Sequence, residues 1–180
     1  MERVIAQRIY SHLTSNNLLS HAQHGFVKQR STCTNLLEFV NDWTILVQNK
    51  KAVTIAYIDF SRAFDSVSHI KLLARLNSYG IRGAVLKWLQ NFLKDRTHQT
   101  RVGQCLSVIA NLLSGVVQGS GIGSVLFLVY IDELAKLLKS HGIIVKLFAD
   151  DVKVYLQIVN VSDTVMLQGA LDLIVEWAST

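Results

Sequence analysis

The period of apolar and polar positions changes several times along the chain, and each change marks an element. Over residues 2–14, Val4, Ile5, Ile9 and Leu13 fall on one helical stripe. Ser15-Asn16-Asn17 interrupts it, and Gly25 to Ser31 reads as a basic loop. Leu36, Leu37, Val40, Trp43 and Val47 then return at helical spacing, with Thr32 or Thr34 as the expected cap. From Ala52 the period shortens. Val53, Ile55 and Tyr57 alternate with small residues up to Ile58-Asp59, which predicts a mostly buried strand.

Ser68 to Tyr79 is helical again through Ile70, Leu73 and Leu76, and Gly80 suits its C-terminal stop. Val85 to Leu93 predicts a short amphipathic helix, and Gln99 to Val102 with Val108 to Leu113 a pair of hairpin strands. A glycine-rich loop, Gly115 to Ser124, leads into an apolar helix from Val125 to Leu138. Ile143 to Ala149 and Val152 to Val159 are β-branched runs separated only by Asp150-Asp151. That pattern is a tight hairpin with two carboxylates at its tip. Leu167 to Trp177 closes the chain as a helix. Irregular alternation with a late antiparallel hairpin predicts an α+β fold, an antiparallel sheet packed on helices, rather than a doubly wound one. Without a repeat or a flexible linker, residues 1–180 read as one folding unit.

The 180 residues suffice for one sizeable core. With 50% hydrophobic and 17% charged residues, the chain is no disordered tail. Its longest apolar run, Val125 to Ile131, is far short of the roughly 20 residues needed to span a bilayer, so no membrane partner is expected. Cys33 and Cys105 form neither a metal-spacing motif nor a disulfide framework, and the start of the chain lacks signal-peptide order. A reducing, intracellular setting is the expectation, with the compartment left open. The net charge of +5 is uneven: residues 51–110 carry nine basic against three acidic side chains, and residues 111–180 four against seven. A basic stretch followed by an acidic one points to a polyanion surface beside a carboxylate site. The chain contains no proline, so any motif normally written with proline is altered here.

Asp59 ends a predicted strand, and Asp150 with Asp151 forms a repelling pair between two others. A divalent cation relieves such repulsion, and Mg²⁺ takes hard carboxylate oxygens. Three carboxylates on neighbouring strands could hold two such ions for phosphoryl transfer. On spacing alone, the pair could equally be ordinary turn residues and Asp59 a cap.

Tyr57-Ile58-Asp59-Phe60-Ser61-Arg62-Ala63-Phe64-Asp65-Ser66-Val67 resembles the first catalytic motif of reverse transcriptases from non-LTR (LINE-type) retrotransposons, and Phe148-Ala149-Asp150-Asp151 their second. Ser114-Gly115-Val116-Val117-Gln118-Gly119-Ser120 is similar to the nucleotide-side loop, and residues 127–134 to the helix after it. Upstream, Gln23-His24-Gly25-Phe26-Val27-Lys28-Gln29-Arg30-Ser31-Thr32 resembles the basic fingers motif. The four stand in family order. Val27, Gln29, Val117 and Ser124 depart from the commoner residues, while the three aspartates are kept.

The resemblance implies a right-hand polymerase palm with partial fingers: about residues 1–50 fingers, and about 51–180 palm with inserted fingers elements. It assigns Asp59 and Asp150, supported by Asp151, to two Mg²⁺ ions, with Mn²⁺ as the substitute ion. The reaction is RNA-directed DNA synthesis, in which a DNA primer 3′-hydroxyl on an RNA template attacks a deoxynucleoside triphosphate. Phe64 takes the place of an aromatic that closes against a 2′-hydroxyl, and is also suited to a core. Gln118 and Gly119 take nucleotide-contacting places, and Lys28 and Arg30 places that neutralise triphosphate, although a solvated basic loop reads the same. Asp65 is expected to bond locally. Arg62, Arg96 and Arg101 are candidates for the nucleic-acid face. Nothing after Trp177 resembles the thumb and primer grip, so the expectation is a fragment of a longer polyprotein that extends primers poorly by itself. The rival readings are an inactive remnant that binds nucleic acid weakly and a Mg²⁺-dependent nuclease or phosphatase.

Overall fold

Caps and turns divide the chain close to where its pattern changes. In a computed structural model, which describes residues 1–179, the elements are α1 (Glu2–Ser15), α2 (Thr32–Gln48), β1 (Ala52–Ile58), α3 (His69–Ser78) and α4 (Gly83–Leu93). Four two-residue strands follow: β2 (Thr97–His98), β3 (Arg101–Val102), β4 (Cys105–Leu106) and β5 (Ala110–Asn111). The chain continues through α5 (Gly123–Ser140), β6 (Ile144–Phe148), β7 (Asp151–Ile158) and α6 (Val161–Ser179). Helices with small antiparallel sheets make this an α+β fold. No described helix is long and apolar enough to cross a membrane.

Two compact units divide the chain. The first comprises Met1–Leu18 and Arg62–Tyr130; the second comprises Leu19–Ser61 and the residues from Ile131 onward. In the first unit, Ile9 and Leu13 of α1, Leu72 and Leu76 of α3, Leu89 and Leu93 of α4, and Val125 to Val129 of α5 are buried. Ser68 caps α3 by accepting from the Lys71 amide, and Gly80, at φ +83°, ends it. Gly80 N–H donates to Asn77 O and Ile81 N–H to Leu76 O, which satisfies the last carbonyls while Ile81 and Leu76 are buried. The helical stripes sit off their expected registers. Val4 is exposed and Ala6 buried on α1, while Ile70 on α3 is 83% exposed and Leu72 fills the core.

The hairpin differs from expectation as well. In place of two continuous strands, β2 pairs with β5 and β3 with β4, the latter closed by Gly103 at φ +60°. Between the two ladders the Ser107 hydroxyl accepts from the Thr100 amide, so a side chain stands where a ladder bond would be. Val108, Ile109 and Leu113 are consequently exposed.

In the second unit, β1, β7 and β6 form one antiparallel sheet with β7 at its centre. The expectation of a mostly buried β1 is overturned. It is an edge strand that bonds on one side only, and Tyr57 is 65% exposed. Ile55, Tyr155 and Ile144 are register partners, as are Tyr57, Lys153 and Lys146, so these share one sheet face. The opposite face carries Val145, Leu147, Val152 and Val154, all buried. Helix α6 packs against β7. Leu167, Ala170 and Ile174 are buried, Trp177 lies 5.8 Å from Phe60 between ring centroids, and its Nε1 donates to Glu133 at 3.0 Å.

Helix α2 also corrects its expected stripe. Its cap is Ser31, not Thr32 or Thr34. The Ser31 hydroxyl accepts from the Thr34 amide, and Thr34 Oγ1 accepts in return from the Ser31 amide. Leu36, Leu37, Val40 and Val47 are exposed, Leu37 at 70%, while Asn35 and Phe39 are buried. The reason is the sheet face it covers. Lys146 pairs with Glu38 at 2.7 Å, Lys153 reaches Asn35 Oδ1 at 3.2 Å, and the Tyr155 hydroxyl donates to Asp42. Burial together with the Asp42 carboxylate pushes the Tyr155 hydroxyl far above its ordinary pKa. Exposed ion pairs contribute at most about 1 kcal/mol each. The adhesion of α2 therefore rests more on Phe39 tilted against Trp43, and on Trp43 edge-on to Tyr155.

His24, only 1% exposed, sits under α2 with its Nδ1 2.9 Å from Thr34 Oγ1 and its Nε2 3.3 Å from Glu38. Burial holds its pKa below the ordinary 6.5; Glu38 opposes that and Arg30 adds to it. A depressed folded-state pKa means that the unfolded chain binds the extra proton first. His24 therefore contributes stability that is complete above about pH 6.5 and lost as pH falls through the folded value. Urea midpoints should fall between pH 7.5 and 5.5, and His24→Asn should flatten that dependence.

Candidate functional site

In the second unit the carboxylates are placed by pairing register. β1 and β7 run antiparallel from Ala52↔Ile158 to Ile58↔Val152, so the next residue, Asp59, falls opposite Asp151. The hairpin turn is Ala149-Asp150, because Phe148 already pairs with Asp151. The tip is thus one residue earlier than the sequence pattern implied, with Asp150 in the turn and Asp151 opening β7. All three aspartates stand at the same end of the sheet. Asp59 and Asp151 are exposed and Asp150 is half-buried.

Among the described residues no three acidic, imidazole or thiol side chains are gathered into a ready cation site. The donor chemistry nonetheless fits a hard divalent ion, since every candidate ligand at this end is a carboxylate. The exposed side chains of Asp59 and Asp151 have room to turn toward an ion. Lys153, the near cation on β7, is directed elsewhere: its Nζ sits 4.3 Å over the Phe39 ring. Burial lowers its pKa, and the Asp151 charge works against that.

The Gln23-Gly25 segment packs directly on the hairpin. His24 N–H donates to Leu147 O, and Leu147 N–H to Ala22 O, each at 2.9 Å. Gln23 is 4% exposed, and its amide bonds to both polar backbone groups of Ala149. Sequence reasoning placed this stretch in the fingers motif without foreseeing that contact; its only signal was a glutamine two residues before a glycine. Arg30 donates through Nη1 to Gln23 O at 2.8 Å and to His21 O, so one of its nitrogens is committed to holding the segment. Lys28 is exposed on the loop.

The first unit carries the glycine-rich loop. Gly115 N–H donates to Val67 O and Val116 N–H to Phe64 O, which docks the loop on residues 64–67. A side chain at position 115 would meet Asp65 backbone at 2.9 Å, and φ is +93°, so only glycine suits. Gln118 Nε2 donates to Asp65 Oδ1 at 2.7 Å, and Ser114 Oγ to Asp65 O at 2.8 Å. Asp65 was expected to bond locally, but its carboxylate bonds 53 positions away, to the loop it docks. Gly119 has φ +78° with open space around it. Phe64 stacks on Phe127 with centroids 4.1 Å apart and planes 15° from parallel, which immobilises the ring. A cleft of about 450 Å³ is bordered by Asp65, His69, Arg96 and Gln118. Arg96 also lies over the Phe92 ring, while Arg62, at φ +54°, and Arg101 are exposed.

The whole chain, residues 1–180, matches the family described as reverse transcriptase (RNA-dependent DNA polymerase). It is 28% identical over 184 residues to the RNA-directed DNA polymerase from mobile element jockey of Drosophila melanogaster, covering 99% of this chain and 20% of that protein. The probable RNA-directed DNA polymerase from transposon BS of the same fly is 28% identical over 139 residues, 74% of this chain and 15% of its own length. The retrovirus-related Pol polyprotein from type-1 retrotransposable element R2 of Popillia japonica is 27% identical over 143 residues, 78% of this chain and 19% of its own. The chain therefore spans a fifth or less of these relatives. A full-length family match, relatives encoded by mobile elements and three aspartates at one sheet end agree: the chain belongs to the reverse transcriptase family, in its non-LTR retrotransposon branch.

Proposed function

We propose that the chain is the palm with part of the fingers of an RNA-directed DNA polymerase, and that it adds deoxynucleotides to a DNA primer on an RNA template. The observation that carries this reading is the β1–β7 register, which sets Asp59 opposite Asp151 beside the Asp150 turn. Asp59 and Asp150 hold two Mg²⁺ ions, with Asp151 in support. When bound, these ions lower the pKa of the primer hydroxyl and offset the charge that develops on the phosphate and pyrophosphate.

The protein's own groups do the positioning. Phe64, braced by Phe127, is rigid enough to exclude a 2′-hydroxyl. Gln118 contacts the incoming nucleotide and must leave Asp65 to do so, which costs one exposed hydrogen bond of about 1 kcal/mol. Gly119 leaves backbone accessible to the same ligand. Lys28 and the uncommitted nitrogens of Arg30 face the triphosphate charge, and Arg62, Arg96 and Arg101 take nucleic-acid phosphates.

The decisive test is template-directed primer extension in Mg²⁺ at low salt. Asp150→Asn and Asp59→Asn should each lower the rate by more than about a hundredfold, beyond what loss of an outer partner of a metal site usually costs. Extension that survives both substitutions overturns the assignment. Phe64→Val should raise ribonucleotide incorporation, and a melting curve will show the packing lost when the stacked pair is broken, about 0.5–1.5 kcal/mol beyond the ring's buried area. Affinity for an RNA–DNA duplex should fall with salt, and Arg96→Gln should reduce the log–log slope by roughly one.

A further inference from the structure

We propose that Gln23 is a positioning residue for this chemistry: its side-chain amide fixes the Ala149 peptide and thereby the direction in which Asp150 presents its carboxylate. The proposal rests on the reading of Asp150 as a metal-holding residue. Gln23 Oε1 accepts from Ala149 N–H at 2.9 Å and from Gly25 N–H at 2.7 Å, while Nε2 donates to Ala149 O at 3.0 Å. One buried amide thus satisfies both backbone groups of a single residue, as a neighbouring strand would.

The residue it grips is under strain. Ala149 holds φ +56°, a left-handed conformation that costs a non-glycine residue about 1–2 kcal/mol. Two buried hydrogen bonds of about 1 kcal/mol each are of the size needed to offset it. A glycine at 149 would adopt that conformation freely, so the alanine depends on its clamp.

The clamp itself is rigid. The backbone of Gly25 approaches so closely that a Cβ there would lie 2.1 Å from Ala149 N. Ala22 and His24 bond to Leu147 of β6, and Arg30 holds the Gln23 carbonyl. None of these groups is placed to ligate an ion. They act through the turn, and outer partners of this kind typically change metal affinity by roughly ten- to a hundredfold.

The test uses Mn²⁺ as the probe, titrated into the isotopically labelled chain, with amide hydrogen exchange read at Ala149. In the wild-type chain the Ala149 amide should exchange as slowly as the β6–β7 ladder amides although it lies in a turn. Rapid exchange there overturns the clamp without any variant. Gln23→Met keeps the volume and removes the bonds. It should weaken the Asp150-dependent Mn²⁺ site by roughly tenfold or more and expose the Ala149 amide.

Adding Ala149→Gly to Gln23→Met should restore part of the Mn²⁺ affinity, because glycine needs no clamp; a purely packing role for Gln23 predicts no such rescue. Wild-type Mn²⁺ affinity in folded Gln23→Met, or no rescue by glycine, overturns the proposal. Should Gln23→Met fail to fold, the wild-type exchange rate decides. A wild-type chain with no Mn²⁺ site that Asp150→Asn removes overturns the polymerase reading instead, and the exchange data then judge the clamp by themselves.

Discussion

The antiparallel pairing of β1 with β7 is the constraint on which the candidate site depends. Seven successive partners, from Ala52↔Ile158 to Ile58↔Val152, leave Asp59 facing Asp151. Side chains on a strand alternate between faces, so a one-residue slip of β1 would exchange its two faces, parting Ile55 from Tyr155, and would shift Asp59 along β7. The burial of Val145, Leu147, Val152 and Val154 fixes the β6–β7 register, which sets Asp150 in the turn beside Asp151. Each such side chain contributes roughly 1.5–3 kcal/mol when fully buried, far more than any bond the exposed carboxylates could make to each other.

The two faces of this sheet are stabilised differently. One is aliphatic. The other meets α2 through Lys146, Lys153 and Tyr155 against Glu38, Asn35 and Asp42, with Phe39 and Trp43 supplying the apolar contact. Burial favours an uncharged Glu38, but the hydrogen bond and charge of Lys146 bring its pKa below the ordinary value. Charged groups held this way tie α2 to particular strand positions, whereas a purely aliphatic face would tolerate sliding.

The candidate site could be named because motif residues carry their chemistry in their identity. Asp59, Asp150, Asp151, Phe64, Gln118 and Gly119 were singled out by the resemblance of the motifs to a known family; spacing alone left the aspartates open to being turn and cap residues. A local signal also placed Gly80 as a helix stop. Contacts made across long stretches of chain were not legible. Gln23 grips Ala149 from 126 positions away, and Gln118 meets Asp65 from 53. A buried glutamine and a surface glutamine look alike in a string of letters.

By itself the sequence determined period and punctuation: which segments are helical, which extended, where carboxylates end a strand, and that the whole is α+β. Those depend on neighbours within a turn or two, where sterics and capping act. Only the tertiary structure decided which face of each element is covered. It put Leu37 of α2 in water and Asn35 of the same helix against the sheet, and replaced Ile70 by Leu72 in the core. It also left β1 at the sheet edge, and gave Leu167, Ala170 and Ile174 of α6 buried places. An apolar stripe states that something must cover it but not what, and a polar stripe is buried whenever its partner offers matching charge. That information belongs to pairs of distant segments, and it exists only once they meet.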